Sequence, residues 1–140
     1  MLDCLPNLNI PISKDEARLI SPLVLAFVGD GVQTLYVRTN LVLTTTLSTN
    51  NLHKLTSEKV KAVSQAKQVE ALLPILNEEE MAIYKRARNS SPNTIAKNAT
   101  VADYKKASGL EAVIGYLYLI GEHDRLNDLL KLSMEEKWVK

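Results

Sequence analysis

A chain of 140 residues, 46% hydrophobic and with a formal net charge of +1, has the apolar content for one substantial core and the length of a single domain. Its only cysteine, Cys4, excludes an intramolecular disulfide and fits a reducing, cytoplasmic setting. The N-terminus lacks the basic, apolar and small-residue order of a secretory leader, and no charge-free apolar stretch reaches the ~20 residues that span a bilayer, so no membrane association is expected.

Residues 1–20, with Pro6, Asn7 and Pro11 among them, read as an arm and polar lead-in with little regular structure, and 21–140 as one domain. Ser21-Pro22 is a helix start, serine as cap and proline in the first turn. Leu23, Ala26, Phe27, Thr34, Val37 and Leu41 then recur at helical spacing to about Leu43. After a polar loop from Thr44 to Asn51, the set Leu52, Leu55, Lys59, Val63, Ala66, Val69 and Leu73 predicts a second helix ending around Pro74. Asn77 followed by Glu78, Glu79 and Glu80 opens a third, with Lys85, Arg86 and Arg88 in its last turn, where the helix dipole favours cations. Ser90 to Thr100 reads as a surface loop. Thr100 and Asp103 form a capping pair for a helix whose apolar face is Tyr104, Ala107, Leu110, Ile114, Leu117 and Tyr118 and which stops at Gly121. A last helix from about Asp124, where the aspartate serves as N-cap, buries Leu126, Leu129 and Leu130. Nothing alternates with period two long enough to make a sheet, so the class is all-α.

The near-neutral total conceals an uneven distribution. Between Lys85 and Lys106 lie six basic residues against the single acid Asp103, a local charge of +5 balanced by −4 over the rest. Such a segment can be an anion-binding surface, or simply basic residues at helix ends and on solvated faces. Gly29-Asp30-Gly31 interrupts the most apolar helix, although each interior glycine costs roughly 1 kcal/mol relative to alanine. Glycines beside a carboxylate allow close approach of a second helix or of a phosphate ligand; they also suit plain helix packing with Asp30 in solvent. Glu111 repeats the pattern, an acid in an apolar stretch between Gly109 and Gly115. Two such carboxylates, if paired, would repel unless a cation lay between them, and magnesium, which takes one or two carboxylates and keeps several waters, is the natural candidate.

Three segments together, Leu25 to Val32 (LAFVGDGV), Lys85 to Asn89 (KRARN) and Ala107 to Tyr118 (ASGLEAVIGYLY), resemble mini-ribonuclease III, the short branch of the ribonuclease III family without a double-stranded-RNA-binding domain. Leu52-His53-Lys54 and Ser64-Gln65-Ala66 fall in the matching order, and the similarity runs from about Ser21 to Leu130. The resemblance implies the ribonuclease III helical bundle, a homodimer, and magnesium-dependent hydrolysis of both strands of an RNA duplex, with a ribosomal RNA precursor as substrate. By the same resemblance, Asp30 and Glu111 are the catalytic and metal-holding acids, and Phe27 packs across the dimer interface. Lys85, Arg86, Arg88, Asn89 and Lys97 are expected to hold the RNA backbone, and Gln65 to make a minor-groove contact. The alternative for Phe27 is an ordinary core aromatic.

The sequence also departs from the family that it resembles. Where full-length ribonuclease III carries a further glutamate and aspartate, this chain has Ala26 and Ser108, as the mini branch does, and Ala87 replaces that branch's usual glycine in Arg86-Ala87-Arg88-Asn89. A second tightly held metal is thereby in doubt, and Ala87 is expected to weaken RNA docking if its backbone angle or a close phosphate required glycine. Two other readings compete: a non-catalytic protein that binds duplex RNA or the ribosome on the same fold, and, from His53 with His123-Asp124, a metal-dependent phosphohydrolase of the HD type. A purely structural helical protein would leave Gly29 and Gly31 unexplained.

Overall fold

The computed structural model describes residues 10–90 and 100–138, the side chains of the last four excepted. The helices are α1 (Lys14–Leu19), α2 (Pro22–Thr44), α3 (Thr49–Val60), α4 (Ala62–Leu72), α5 (Glu78–Ser90), α6 (Val101–Leu119) and α7 (His123–Trp138), with a 3-10 turn at Leu73–Ile75 after α4. No strand occurs among the described residues, and the fold is an all-α bundle.

The bundle is built around α6. From Ala107 to Leu117 every residue but Glu111 is buried, so this helix is apolar on all sides, as a helix enclosed by others must be. Helices α2, α4, α5 and α7 pack around it. Leu25, Val69, Leu72, Ile83, Leu126 and Leu129 meet its side chains in one continuous core. A smaller cluster of Val37, Leu41 and Met134 joins the far end of α2 to α7 and is flanked by Leu52, Leu55 and Val60 of α3.

Local signals set most helix ends. Thr100 accepts from the Asp103 N–H at 3.0 Å. Asn77 and Glu80 exchange side-chain-to-backbone bonds of 2.9 and 3.0 Å. Glu80 is also the carboxylate that ties α5 to α7: it is 1% exposed and accepts from Arg125 Nε and Nη2 at 2.8 and 2.7 Å. α7 starts one residue earlier than expected, so Asp124 lies in its first turn rather than at the cap.

Two stretches differ from their sequence reading. Residues expected to be an irregular lead-in contain α1, opened by a reciprocal Ser13–Glu16 capping box. Ala17 of α1 is fully buried, Ile12 donates its N–H to the Leu119 carbonyl at 3.0 Å, and this segment therefore completes the core. The predicted second helix is two helices, α3 and α4, broken at Lys61 in extended conformation (ψ 155°). Neither glycine nor proline marks this break. Polar side chains one turn further on stabilise it: Ser64 Oγ donates to the Glu58 carbonyl, Gln68 Nε2 to Lys59 (3.1 Å) and Gln65 Nε2 to Val60 (2.9 Å). These carbonyls at the end of α3 would otherwise lack a partner.

Candidate active site

Helices α2 and α6 cross where glycine faces glycine. A Cβ on Gly29 would overlap the backbone carbonyl of Glu111 and lie 2.9 Å from the Gly115 nitrogen, and a Cβ on Gly115 would overlap the Leu25 carbonyl. Only hydrogen fits at either position, and the two backbones touch. The neighbours of these glycines, Asp30 on α2 and Glu111 on α6, are thereby brought within hydrogen-bonding reach of each other. Gly31 is different: a Cβ there meets nothing within 4 Å, because it lies on the open side of α2.

Glu111 is partly buried and Asp30 is exposed. Burial, followed by the charge of Asp30 and a hydrogen bond to it, pushes the Glu111 carboxyl up from 4.5 to about 8, with only the Gln65 amide acting in the opposite sense. The pair thus has proximity, and among the described residues no cation acts on Glu111. A divalent cation between the oxygens would reverse that balance, and two carboxylates with water and phosphate oxygens suit the coordination habits of magnesium. Among the described residues no three His, Cys, Asp or Glu side chains gather into a cluster, which gives no support to the HD-type reading from His53, His123 and Asp124. Ala26 and Ser108, where the sequence resemblance implies that longer enzymes carry two further acids, are 7% and 6% exposed.

Behind Glu111 lies a chain of amides that sequence reasoning did not find. Gln65 is 1% exposed, so its side chain faces inward rather than toward a groove of bound RNA. Its Nε2 donates to Gln33 Oε1 at 2.8 Å and to the Val60 carbonyl at 2.9 Å, and lies 3.4 Å from Glu111 Oε2. Gln33, wholly buried, donates in turn to Gln68 Oε1 at 3.1 Å. The available signal in the sequence was spacing alone: Gln33 lies four residues after Gly29, and Gln65 and Gln68 lie three apart, so each set shares one helix face.

The structure divides the basic segment between two sides of α5. Arg86, exposed, reaches toward α1 and donates to the Arg18 carbonyl at 3.4 Å. Arg88 lies over the Tyr84 ring, 5.7 Å from its centre, and donates to Asn89 Oδ1 at 3.3 Å. Lys106 pairs with Glu70 at 2.8 Å, and its charge acts on Tyr84 together with that of Arg88. Lys85 is exposed, and Lys97 lies outside the described residues. Ala87 is fully buried inside α5, its methyl group in the core, so neither an unusual backbone angle nor contact with a phosphate depends on that position.

Phe27 is 80% exposed, which removes it from the core. With Val24 (52%), Leu35, Val42 and Leu43 (75%) it forms an apolar stripe along the outer face of α2. Beside the stripe a cavity of about 530 Å³ opens between α2 and α7, lined by Val28, Gly31, Leu35, Tyr36, Tyr118 and Leu130 among others. No helix among the described residues is long and apolar enough to cross a membrane.

Comparison with known proteins places these features in a family. The model of the ribonuclease III domain matches residues 23–122. The mini-ribonuclease 3 of a Thermoanaerobacter species is 44% identical over 135 residues, covering 96% of this chain and 94% of its own. That of Clostridium tetani is 43% identical over 121 residues (86% and 80%), and that of Staphylococcus aureus 45% over 118 (83% and 88%). The crystal structure of a Fusobacterium nucleatum protein, 33% identical, superposes with a TM-score of 0.79 over 89% of this chain and 99% of that one.

Proposed function

Because the chain belongs to the ribonuclease III family, among the mini-ribonucleases III, we propose that it is a magnesium-dependent endoribonuclease that cuts both strands of an RNA duplex as a homodimer. The observation that carries the reading is the glycine-on-glycine crossing that puts Asp30 and Glu111 side by side, with no cation acting on Glu111 among the described residues. Interior glycines in an otherwise apolar helix are costly, and here they serve to join two acids.

Asp30 and Glu111 would hold the magnesium ion, which when bound supplies Lewis acidity toward the scissile phosphate and an activated water. To accept it, Glu111 releases its proton, and the Gln65 amide beside it favours the charged form. Lys85, Arg86, Arg88 and Asn89, with Lys97, bind phosphates and 2′-hydroxyls, the groups through which A-form RNA is mainly recognised. The division of Arg86 and Arg88 between two sides of α5 suits a surface that spans more than one phosphate. A second copy covers the Phe27 stripe, and a dimer axis aligned with the local dyad of the duplex gives each strand one site. A ribosomal RNA precursor is the substrate we expect. The alternative, a duplex-binding protein without catalysis, would have no use for the joined acids.

The test is incubation of the purified protein with a long RNA duplex, with and without magnesium, beside the Glu111→Gln variant. Cutting that needs both magnesium and Glu111 supports the proposal. Tight binding without cutting under any metal condition overturns it in favour of the non-catalytic reading. In the same assay, Arg86→Ala should weaken binding and reduce its salt slope by about one; an unchanged slope removes Arg86 from the RNA surface.

A further inference from the structure

Three buried glutamines form a chain whose polarity is set at one end and delivered at the other. The carbonyls of Lys59 and Val60, at the broken end of α3, can only accept hydrogen bonds. Gln68 must therefore turn its NH₂ group to Lys59, and it does so at 3.1 Å. That leaves Gln68 Oε1 facing Gln33, which is obliged to offer its own NH₂ there, at 3.1 Å, and its Oε1 toward Gln65. Gln65 completes the sequence with its NH₂ on Gln33 Oε1 and on Val60, at 2.8 and 2.9 Å. Two short bonds thus engage both hydrogens of the Gln65 nitrogen, and the Glu111 carboxylate oxygen, 3.4 Å away, shares one of them and meets the positive end of the amide.

We infer that Gln65 is a positioning residue for the metal site: oriented by Gln33 and by the end of α3, it holds the Glu111 carboxylate in the direction that meets Asp30 and the cation. This inference rests on the metal reading of Asp30 and Glu111 given above. An amide of opposite polarity would set an oxygen against the carboxylate and turn it away, and the two main-chain acceptors prevent that. The break at Lys61 acquires a role here as well, since a continuous helix would leave the Lys59 and Val60 carbonyls bonded within it and unable to set the chain's direction. Metal-ligating side chains are commonly held by such partners, whose removal weakens metal affinity by about 10- to 100-fold.

The experiment is titration with magnesium alone, followed by the rise in thermal unfolding temperature, for the wild type, Gln65→Leu, Gln68→Leu and Glu111→Gln. Both leucine variants remove a buried amide, so a merely structural role predicts equal effects. Positioning predicts that half-saturating magnesium rises about tenfold in Gln65→Leu and clearly less in Gln68→Leu, where the Val60 carbonyl still orients the Gln65 amide. In the cleavage assay the same difference should be seen in the magnesium requirement, with KM for RNA unchanged. Equal magnesium affinities in the two variants overturn the inference. Should Gln65→Leu not fold, ¹⁵N spectra of the wild type decide: the Gln65 side-chain NH₂ resonances shift on adding magnesium if the amide bears on the ligand, and their remaining still refutes it. Absence of any magnesium response in the wild type would instead refute the metal reading itself.

Discussion

Replacing Glu111 by glutamine should abolish cleavage and, without metal, make the protein more stable. Its folded carboxyl titrates near 8, raised from 4.5 first by burial and then by Asp30, so between those pH values the folded state holds a proton that the unfolded chain has released. A raised carboxyl pKa means that stability falls as pH rises from 4.5 through 8 and levels off above it. At 1.36 kcal/mol per pH unit the interval gives a ceiling of about 5 kcal/mol. Solvent reaching the exposed Asp30 side of the pair reduces this, and we expect about 1–3 kcal/mol in practice. Glutamine keeps the shape without the charge, so its advantage over wild type should be small at pH 5 and full at pH 8.5, roughly 3–10 °C in Tm. The assay is thermal unfolding of both proteins at the two pH values with a chelator present and at fixed protein concentration, since oligomer stability depends on it. Titrating groups remote from the pair are common to both proteins and cancel in the difference. Adding magnesium at pH 8.5 should narrow the gap by stabilising only the wild type. A difference between the proteins that does not change from pH 5 to 8.5 would refute the electrostatic account of the pair.

Other consequences are equally direct. Gly29→Ala should destabilise by about 3 kcal/mol or more in urea unfolding and abolish cleavage, because its Cβ would overlap the Glu111 carbonyl; Gly31→Ala, with open space at that point, should leave the protomer fold intact. Phe27→Asp should give a monomer by analytical ultracentrifugation, and a dimer that survives would move the interface away from the α2 stripe. Arg125→Met should cost about 3–5 kcal/mol in denaturant unfolding, since it leaves the Glu80 carboxylate buried with only the Asn77 N–H for support. Burial opposes ionisation of Glu80, but Arg125 and the Asn77 N–H outweigh it and hold its carboxyl below 4.5. Its contribution is therefore present above that pH and lost as pH falls through the folded value, which Glu80→Gln should show as a smaller acid-induced loss in Tm.

Helix ends and the all-α class were legible because the forces that set them act within one turn: Thr100 with Asp103, Asn77 with Glu80, and Gly121 with its positive φ of 78° all lie beside the backbone they cap. The Ser13–Glu16 box was equally local, and the two prolines before it masked its signal. Asp30 and Glu111 stood out as acids among apolar neighbours and glycines, and their motifs resembled a known family. Periodicity placed Ala26, Val37 and Leu41 on the buried side of α2, but it also placed Phe27 beside them, which the packed helix leaves outside, and it passed over Leu25, Gly29 and Gln33, which are buried. The choice of buried face belongs to α6, since only the glycine face of α2 comes close enough to it. The break at Lys61 and the role of Gln65 were likewise decided by tertiary structure. A glutamine on an apolar face has no assigned partner until three helices converge, and here the partners are a carbonyl at the end of α3, an amide on α2 and a carboxylate on α6. Capping and periodicity depend on neighbours along the chain, whereas the orientation of a buried amide depends on donors and acceptors that only the folded chain brings together.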